Sequence, residues 1–431
     1  MDTVKIGLLG AGTVGSGVIK VMRENAEEIT KKTGAALEIK TVMVHNLNRN
    51  HPDITGCNVT DRFEDILEDP EISIVIELIG GIHPAKEYML RAMQAGKHVV
   101  TANKDIVAEY GEELFEAAQK NNVDFMFEAS VGGGIPIILP LKESLTANRI
   151  TEIMGIVNGT TNYMLSKMTK EKSCYSDVLK EAQEKGYAEA DPTSDVEGFD
   201  AARKLAILAS IAFNTRINFH DVAVEGITNI TPEDIVYASQ LGYGVKLLAI
   251  GRDCGEAGID VRVHPVFLPK SHPLASVDGV YNAIFIRGNA IGEAMFYGRG
   301  AGSLPTASAV VADVINTVND LRHSAIGRVT CTCYDEKKLC PLDDTVSSYY
   351  VRLLVDDEPG VLGTIATTFG NQGVSLLSVI QTRSVGNKAE IVAITHHVRH
   401  SAMEDAAKVL SGLHVVSEVR SVIRVENGEE G

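Results

Sequence analysis

The stretch VKIGLLGAGTVGSGVIKVM, residues 4–22, decides the fold of the N-terminal part of this chain. Its aliphatic and β-branched start predicts a strand over Val4–Leu9, and its second half predicts a helix from Val14 to Met22. Between them, glycines at 10, 12 and 15 keep the G-x-G-x-x-G spacing of a dinucleotide-binding turn. The stretch therefore predicts a strand–turn–helix that binds a dinucleotide, with a ligand-free tight turn as the alternative.

The predicted cofactor contacts lie in this turn and after the second predicted strand, Ile39–Val44. Gly10, Gly12 and Gly15 allow the close approach of a pyrophosphate, and the amides of Thr13 and Val14 point at it from the helix N-terminus. His45 and Arg49 follow the second strand, with no carboxylate between positions 45 and 50. Because basic groups meet the 2′-phosphate of NADP and an acidic group holds the ribose of NAD, NADP is favoured. NAD and a simple solvated loop stay open.

Further along the chain, strands at Ile72–Ile79, Val99–Thr101 and Val123–Phe127 alternate with amphipathic helical stretches. This alternation is typical of an α/β fold with a parallel sheet. We predict a Rossmann-type domain at 1–135, an α+β catalytic and dimerisation domain at 136–330, a linker at 331–347 and a separate ferredoxin-like βαββαβ unit at 348–426.

Composition narrows the function classes. The 431 residues carry a formal charge of −17, which would still be −5 with all 12 histidines protonated, so a nucleic-acid or anionic-membrane surface is not expected. The N-terminal apolar stretch is too short and too rich in glycine for a membrane span or a signal peptide. Six dilute cysteines fit free thiols in a reducing cytoplasm. Only Cys331, Cys333 and Cys340 cluster in the sequence, and because Cys-x-Cys is not the usual zinc-ligand spacing, buried or loop thiols are favoured over a zinc site.

Lys104 directly follows the Val99–Thr101 strand, at the end of Thr101-Ala102-Asn103-Lys104. Ligands of open parallel sheets sit beyond the carboxyl ends of the strands, so this ammonium is expected on the same rim as the phosphate turn. A solvated loop charge is the alternative.

A second group of candidate site residues follows a loop at 184–195 that is rich in carboxylates. One helix is predicted from Val196 to Phe213, with Asp200 and Lys204 spaced i, i+4 on one face at its start. Its second half, from Leu205 onward, is apolar almost all round and is expected to be buried. In a partly desolvated cleft the lysine can donate a proton and the carboxylate can orient a substrate ammonium, whereas an exposed ion pair is the alternative.

Two more glycine-rich turns stand out. The turn at 298–306 precedes a helix with Pro305 near its first position, and it can cradle an anion, lie against the cofactor or simply cap a helix. The turn at 130–136 exposes backbone carbonyls, which either bind a monovalent cation or form a hinge.

Five motifs in order carry a resemblance to a known family: GLLGAGTVGSG, TANK, EASVGGGIP, NGTTNY and GYAEADPTSDVEGFDAARK. Together, over residues 3–325, they closely resemble homoserine dehydrogenase. The resemblance implies NAD(P)H-dependent reduction of L-aspartate 4-semialdehyde to L-homoserine, a step towards threonine, methionine and isoleucine.

The same resemblance implies roles for individual residues. Lys204 would donate the proton, Glu189 and Asp200 would bind the amino acid, and Lys104 would lie beside substrate and nicotinamide. The implied cofactor contacts are Ala11, Thr13, Val14, Gly186 and Gly302. The implied backbone ligands of a monovalent cation such as sodium are Glu128, Val131, Gly133 and Ile135. Many relatives carry Arg and Asp where this chain has His45 and Asn46, which leaves the cofactor choice open.

The C-terminal unit carries Asp-x-x-Pro-Gly-Val-Leu before its first predicted helix, Val361–Asn371. This pattern resembles the ACT domain, an amino-acid-sensing module that pairs with a second copy. It implies ligand contacts around Gly360 and Asn371 and threonine as the feedback effector, with a ligand-free dimerisation domain as the alternative.

The sequence thus predicts a cytoplasmic homodimeric or homotetrameric homoserine dehydrogenase with a small-molecule substrate. An amino-acid-binding regulator without activity and another Rossmann-type reductase are the alternatives. Lys104, Glu189, Asp200 and Lys204 are all present, which disfavours the first, and the full motif ending at Lys204 disfavours the second.

Overall fold

The computed structural model of this protein describes residues 2–47 and 54–426, with the side chains of all of these except 382–385. The chain forms two compact units. The first comprises Met1–Ile153, Arg203–His220 and Asn282–Glu336, and the second comprises Met154–Ala202, Asp221–Tyr281 and Lys337–Gly431. Each unit is thus assembled from three separate stretches of chain. The domain limits 1–135, 136–330, 331–347 and 348–426 stay predictions.

The secondary structure alternates strands and helices in the first third of the chain and is mixed thereafter. The strands are β1 (Thr3–Leu9), β2 (Ala36–Met43), β3 (Asn58–Thr60), β4 (Ile72–Glu77), β5 (His98–Thr101), β6 (Phe125–Met126), β7 (Ile150–Ile156), β8 (Ala223–Val224), β9 (Tyr243–Asp253), β10 (Ile259–Pro269), β11 (Tyr281–Gly288), β12 (Gly292–Arg299), β13 (Val346–Asp356), β14 (Leu376–Val385), β15 (Lys388–Thr395), β16 (Val398–Arg399) and β17 (Val416–Val425). The helices are α1 (Thr13–Glu24), α2 (Ala26–Thr33), α3 (Glu64–Leu67), α4 (Ala85–Gln94), α5 (Lys104–Asn121), α6 (Gly159–Glu171), α7 (Tyr175–Glu184), α8 (Thr193–Val196), α9 (Phe199–Ala212), α10 (Pro232–Gln240), α11 (Ser303–His323), α12 (Val361–Asn371) and α13 (His400–Ser411).

The first unit contains a parallel sheet in the order β3-β2-β1-β4-β5-β6. Its central strands are buried on both faces, because helices cover a parallel sheet on either side. Ile6 and Leu8 of β1 pack in one core with Val310 and Val314 of α11. The predicted Rossmann-type sheet is confirmed, although β4 ends at Glu77 and β6 is only two residues long.

The single helix predicted over Val196–Phe213 is wrong. The chain forms the short α8, turns at Gly198 with φ of +86°, and starts again as α9. A Cβ at Gly198 would lie 3.1 Å from the side chains of Val224 and Val263, so glycine permits both the left-handed backbone and the close packing. The predicted burial of the helix beyond Leu205 is confirmed.

The second unit contains the C-terminal sheet. Its predicted βαββαβ order is confirmed as β13-α12-β14-β15-α13-β17, and α12 has the predicted bounds. This segment is continuous with the rest of the second unit, because β17 pairs in parallel with β10 and the strands run in the order β9-β10-β17-β13-β15-β14.

A buried ionic network also joins β13 to α10 within the second unit. The guanidinium of Arg352 donates to Asp234 Oδ1 at 2.8 Å and to Glu390 Oε1 at 2.9 Å, and the hydroxyl of Tyr350 donates to the same Asp234 oxygen at 3.1 Å. Breaking such a buried pair costs about 3–5 kcal/mol, so these contacts hold the C-terminal sheet firmly on α10.

Within residues 2–47 and 54–426, no helix is both long enough and apolar enough to cross a lipid bilayer.

Candidate active site

The glycine turn after β1 opens onto a wide cleft of the first unit. Gly10 has φ of +99°, and a Cβ on Gly15 would come within 2.1 Å of the Gly10 carbonyl, so both positions require glycine. A Cβ on Gly12 would meet no atom within 4 Å, which leaves the N-terminus of α1 open to a ligand. The cleft has a volume of about 780 Å³, and Gly10, Ala11, Gly12 and His45 all line it. The residues present therefore fit a dinucleotide.

His45 and Asn46 are exposed on the wall of this cleft. Arg49, the second basic residue expected there, lies outside the described residues. Asp61, which the sequence reasoning did not consider, lines the same cleft. Its carboxylate comes from the loop after β3, so inspection of the β2 end alone could not find it.

A second, smaller cavity of about 200 Å³ brings Val14 and Lys104 together with Glu77. Glu77 ends β4 and is fully buried; its Oε1 accepts from the amide of Ile79 at 2.7 Å, and its Oε2 accepts from the Thr101 hydroxyl at 2.7 Å. Burial raises the pKa of the Glu77 carboxyl, while these hydrogen bonds oppose the rise. Sequence reasoning missed Glu77; a carboxylate that ends an apolar strand was the available signal.

Lys104 is the first residue of α5, and Asn103 caps that helix by accepting from the amide of Ile106. The neighbour of Lys104, Asp105, forms an ion pair with Arg203 of α9, with 3.1 Å between Oδ1 and Nε. The next residue of α9 is Lys204. The ion pair therefore brings together the two short segments that carry the candidate lysines.

The glycine turn at 298–306 contacts the other two glycine turns of the first unit. Ser303 Oγ, at the start of α11, donates to the Thr13 carbonyl at 2.6 Å, so the turn that contains Gly302 lies against the first turn of α1. The amide of Gly134 donates to the Arg299 carbonyl at 3.1 Å. The structure thus brings the predicted cofactor turn and the predicted cation turn to the same part of the unit.

Glu128 organises the turn predicted to bind a cation. Its carboxylate accepts from the amides of Ile137, Ile138 and Leu139 at 2.5–2.7 Å, and its own amide donates to Asp313 Oδ2 at 2.8 Å. Burial raises the pKa of Glu128, and burial beside Glu128 raises the pKa of Asp313 well above its usual range. Val131 and Ile135 are buried in the same turn, and Gly133 takes a positive φ.

Metal binding by side chains has no support in the part of the chain that the structure describes, where no group of three or more His, Cys, Asp and Glu could hold an ion. The backbone cation site at 128–135 stays a prediction.

In the second unit, Asn158 joins two of the sequence motifs. Its Nδ2 donates to Asp195 Oδ1 at 2.7 Å and to Asp200 Oδ2 at 2.9 Å, and its Oδ1 caps α6 by accepting from the amide of Thr161. Asp200 is 6% exposed, so the amide holds a nearly buried carboxylate in place. Asn158 is therefore a positioning residue for Asp200. The sequence analysis gave it no role of its own and named it only within the motif NGTTNY.

Gly186 and Glu189 lie on the exposed loop between α7 and α8. Gly186 has φ of +72°, and Gln183 Nε2 donates to the Glu189 carbonyl at 3.0 Å. Thr160 of α6 donates to the Tyr187 carbonyl at 2.7 Å, which fixes this loop on the helix that Asn158 caps.

The predicted effector residues mark the two ends of α12. Gly360 caps its N-terminus with φ of +94°, and Asn371 is its last residue. Both are exposed.

Comparison with protein-family models finds three matches in chain order. A homoserine dehydrogenase NAD-binding domain matches residues 10–128, a homoserine dehydrogenase domain matches 136–315, and an ACT domain matches 349–415.

Whole proteins and solved structures agree with these matches. Homoserine dehydrogenase from Bacillus subtilis is 45% identical over 99% of each chain, and the Synechocystis protein is 48% identical over 98% of this chain and 99% of its own. The crystal structure of a homoserine dehydrogenase from Thiobacillus denitrificans superposes with a TM-score of 0.94 at 43% identity, covering 99% of both chains. A hyperthermophilic archaeal homoserine dehydrogenase in complex with NADPH has a TM-score of 0.62 at 28% identity, covering 73% of this chain and 97% of its own.

Proposed function

The chain belongs to the homoserine dehydrogenase family, and on that premise we propose that it reduces L-aspartate 4-semialdehyde to L-homoserine with NADPH as the preferred donor. We place this step in the biosynthesis of threonine, methionine and isoleucine, in a cytoplasmic homodimer or homotetramer. The arrangement on α9 carries the proposal: a nearly buried Asp200, held by Asn158, precedes Lys204 by one helical turn.

The proposed chemistry follows from the charge that develops during the reaction. When bound at the glycine turn, the reduced nicotinamide supplies the hydride. The ammonium of Lys204 donates a proton to the aldehyde oxygen as it becomes an alkoxide, and Lys104 adds positive charge near that oxygen. Asp200 and Glu189 bind the α-ammonium of the substrate. The Arg203–Asp105 ion pair positions both lysines through their chain neighbours.

Initial rates of homoserine oxidation with NADP and with NAD test the reaction directly. Turnover with either cofactor supports the proposal. A folded protein that oxidises homoserine with neither cofactor contradicts it and points to another amino-acid reductase.

The preference for NADP rests on His45, which lies exposed on the cofactor cleft, and on a sequence that has no carboxylate between positions 45 and 50. The relative solved with NADPH supports the same choice. Asp61 in the cleft is the one observation that favours NAD, because a carboxylate can accept from the ribose hydroxyls.

We expect His45→Asp to shift the preference from NADP towards NAD. A carboxylate at this place repels the 2′-phosphate and accepts from the ribose diol, so the ratio of kcat/KM values should change by about tenfold or more. Steady-state rates with both cofactors measure the ratio. His414→Asp, an exposed histidine of the C-terminal sheet unit, serves as the matched control. An unchanged ratio in His45→Asp would remove His45 from the cofactor site.

We also propose that the carbonyls of Glu128, Val131, Gly133 and Ile135 bind sodium. The turn is held by four backbone hydrogen bonds to buried carboxylates, and such a fixed loop suits carbonyl ligands.

Threonine is the proposed effector of the C-terminal unit. Its proposed contacts are Gly360 at the N-terminal end of α12 and Asn371 at the C-terminal end. The helix N-terminus at Gly360 would receive the carboxylate of one threonine, and the amide of Asn371, at the opposite end of the helix, would contact a second threonine molecule.

Asn371→Ala is expected to weaken threonine inhibition while leaving basal turnover unchanged. The lost hydrogen bond predicts a rise of about tenfold in the inhibition constant. Asn371 is exposed, so the substitution leaves the fold intact, and Lys408→Ala on α13 is the surface control. Inhibition that is identical in Asn371→Ala and the parent protein would argue against an effector at this end of α12.

A further inference from the structure

Two cysteines and two cations form a cluster in the first unit that the proposed reaction does not use. We call Cys331, Cys333, Arg216 and Lys142 the Cys331 cluster. All four line a partly open cavity of about 30 Å³, enough for about two water-sized molecules. Cys331, Cys333 and Arg216 also line a neighbouring cavity of about 460 Å³. Small solutes therefore have room at both sulfur atoms.

The cluster surrounds Cys331 with positive charge. Arg216 Nη2 lies 3.6 Å from Cys331 Sγ, in hydrogen-bond contact. The ammonium of Lys142 lies nearby, donating to the Thr330 carbonyl at 2.7 Å and resting 4.6 Å from the centre of the Phe115 ring. The neighbouring Cys333, together with Arg216 and Lys142, holds the pKa of the Cys331 thiol well below its usual range. Burial lowers the pKa of Lys142 to about 8.

Cys333 differs from Cys331 in its environment. Its Sγ contacts the Ser210 carbonyl at 3.8 Å, an acceptor that favours the protonated thiol, and the neighbouring Cys331 sulfur raises the pKa of Cys333. These environments favour the thiolate at Cys331 and the protonated thiol at Cys333. Partly exposed thiolates in positive surroundings are the reactive cysteines of proteins.

We propose that Cys331 is a hydroperoxide-reactive cysteine and that Cys333 is its resolving partner. The Cys331 thiolate attacks one peroxide oxygen, the O–O bond breaks, hydroxide leaves and Cys331 becomes a sulfenic acid. The Cys333 sulfur then attacks the Cys331 sulfur and water leaves, which closes an intramolecular disulfide. The pair loses two electrons, and the peroxide gains them. The remaining cysteines Cys57, Cys174, Cys254 and Cys340 take no part.

The test uses the full-length protein, reduced and then treated with hydrogen peroxide. Peptide mass spectrometry should find a Cys331–Cys333 disulfide, seen as a loss of about 2 Da that dithiothreitol reverses. In Cys333→Ser, a dimedone-trapped sulfenic acid should accumulate on Cys331, whereas Cys331→Ser should leave Cys333 unmodified. Because mass spectrometry reads the oxidation state of the cysteines directly, the result does not depend on whether the protein oxidises homoserine.

The role of Arg216 is tested by the rate of alkylation. Arg216→Gln should slow iodoacetamide labelling of Cys331 by about tenfold at neutral pH, because less thiolate is present. Arg149→Gln, an exposed arginine of the same unit, should leave the rate unchanged. Oxidation of exposed Cys174 or Cys254 before Cys331, or a sulfenic acid on Cys333 instead of Cys331, would overturn the proposal.

Discussion

Lys204→Ala is expected to lower the turnover of homoserine oxidation by about 100-fold or more, the usual contribution of a positioned acid or base. In the oxidative direction the side chain must take the proton from the substrate hydroxyl, and alanine offers no group for this transfer. The KM for homoserine should change far less than kcat, because Asp200 and Glu189 remain. Steady-state kinetics with circular dichroism as a check of folding measure both.

The control for this variant is Lys120→Ala, an exposed lysine near the end of α5 in the same unit. Lys104→Ala separates the two candidate lysines. If Lys104→Ala abolishes turnover while Lys204→Ala stays near the parent rate in a folded protein, Lys104 is the proton-transfer group and the assignment of Lys204 is wrong.

Glu128→Ala is expected to destabilise the first unit by about 3–5 kcal/mol, because the amides of Ile137, Ile138 and Leu139 all lose the carboxylate that accepts their hydrogen bonds. For a unit of this size, such a loss lowers the melting temperature by about 6 °C or more. Glu128→Gln should cost less, since one carbonyl oxygen remains. Differential scanning calorimetry measures the shift, and it also resolves the two units if they melt separately.

Glu116→Ala provides the matched control, because this glutamate is exposed on α5 of the same unit. We expect its melting temperature to stay within about 1 °C of the parent protein, as for most surface substitutions. Equal melting temperatures for Glu128→Ala and Glu116→Ala would show that the hydrogen bonds of Glu128 do not stabilise the turn.

The parts of the fold that follow local patterns could be predicted. The glycines at 10, 12 and 15 and the strand before them identify the cofactor turn, because each position has a steric requirement that is readable in the sequence. The βαββαβ order was predictable because its strands and helices have clear periods of two and 3.6 residues. The break at Gly198 was missed, since a lone glycine within a helical pattern is often tolerated.

The parts that depend on distant contacts could not be predicted. Asn158 bridges Asp195 and Asp200, about 40 positions away, through hydrogen bonds that leave no periodic signal. Asp61 reaches the cofactor cleft from a loop that follows a different strand. The insertion of β17 beside β10 was missed for the same reason, because strand patterns predict that a strand exists and not which strand it pairs with.

The position of β17 has a consequence for how the protein is made. It follows all the other described strands in the sequence, yet it lies inside the sheet of the second unit, with β10 on one side and β13 on the other. Chains are synthesised from the N-terminus at about 5–20 residues per second, so this sheet cannot close until synthesis has passed Val425. Until then β10 and β13 expose unpaired edges, which are sites of aggregation. Premature termination anywhere before Val425 should therefore yield chains that chaperones and proteases remove, and not shortened enzymes.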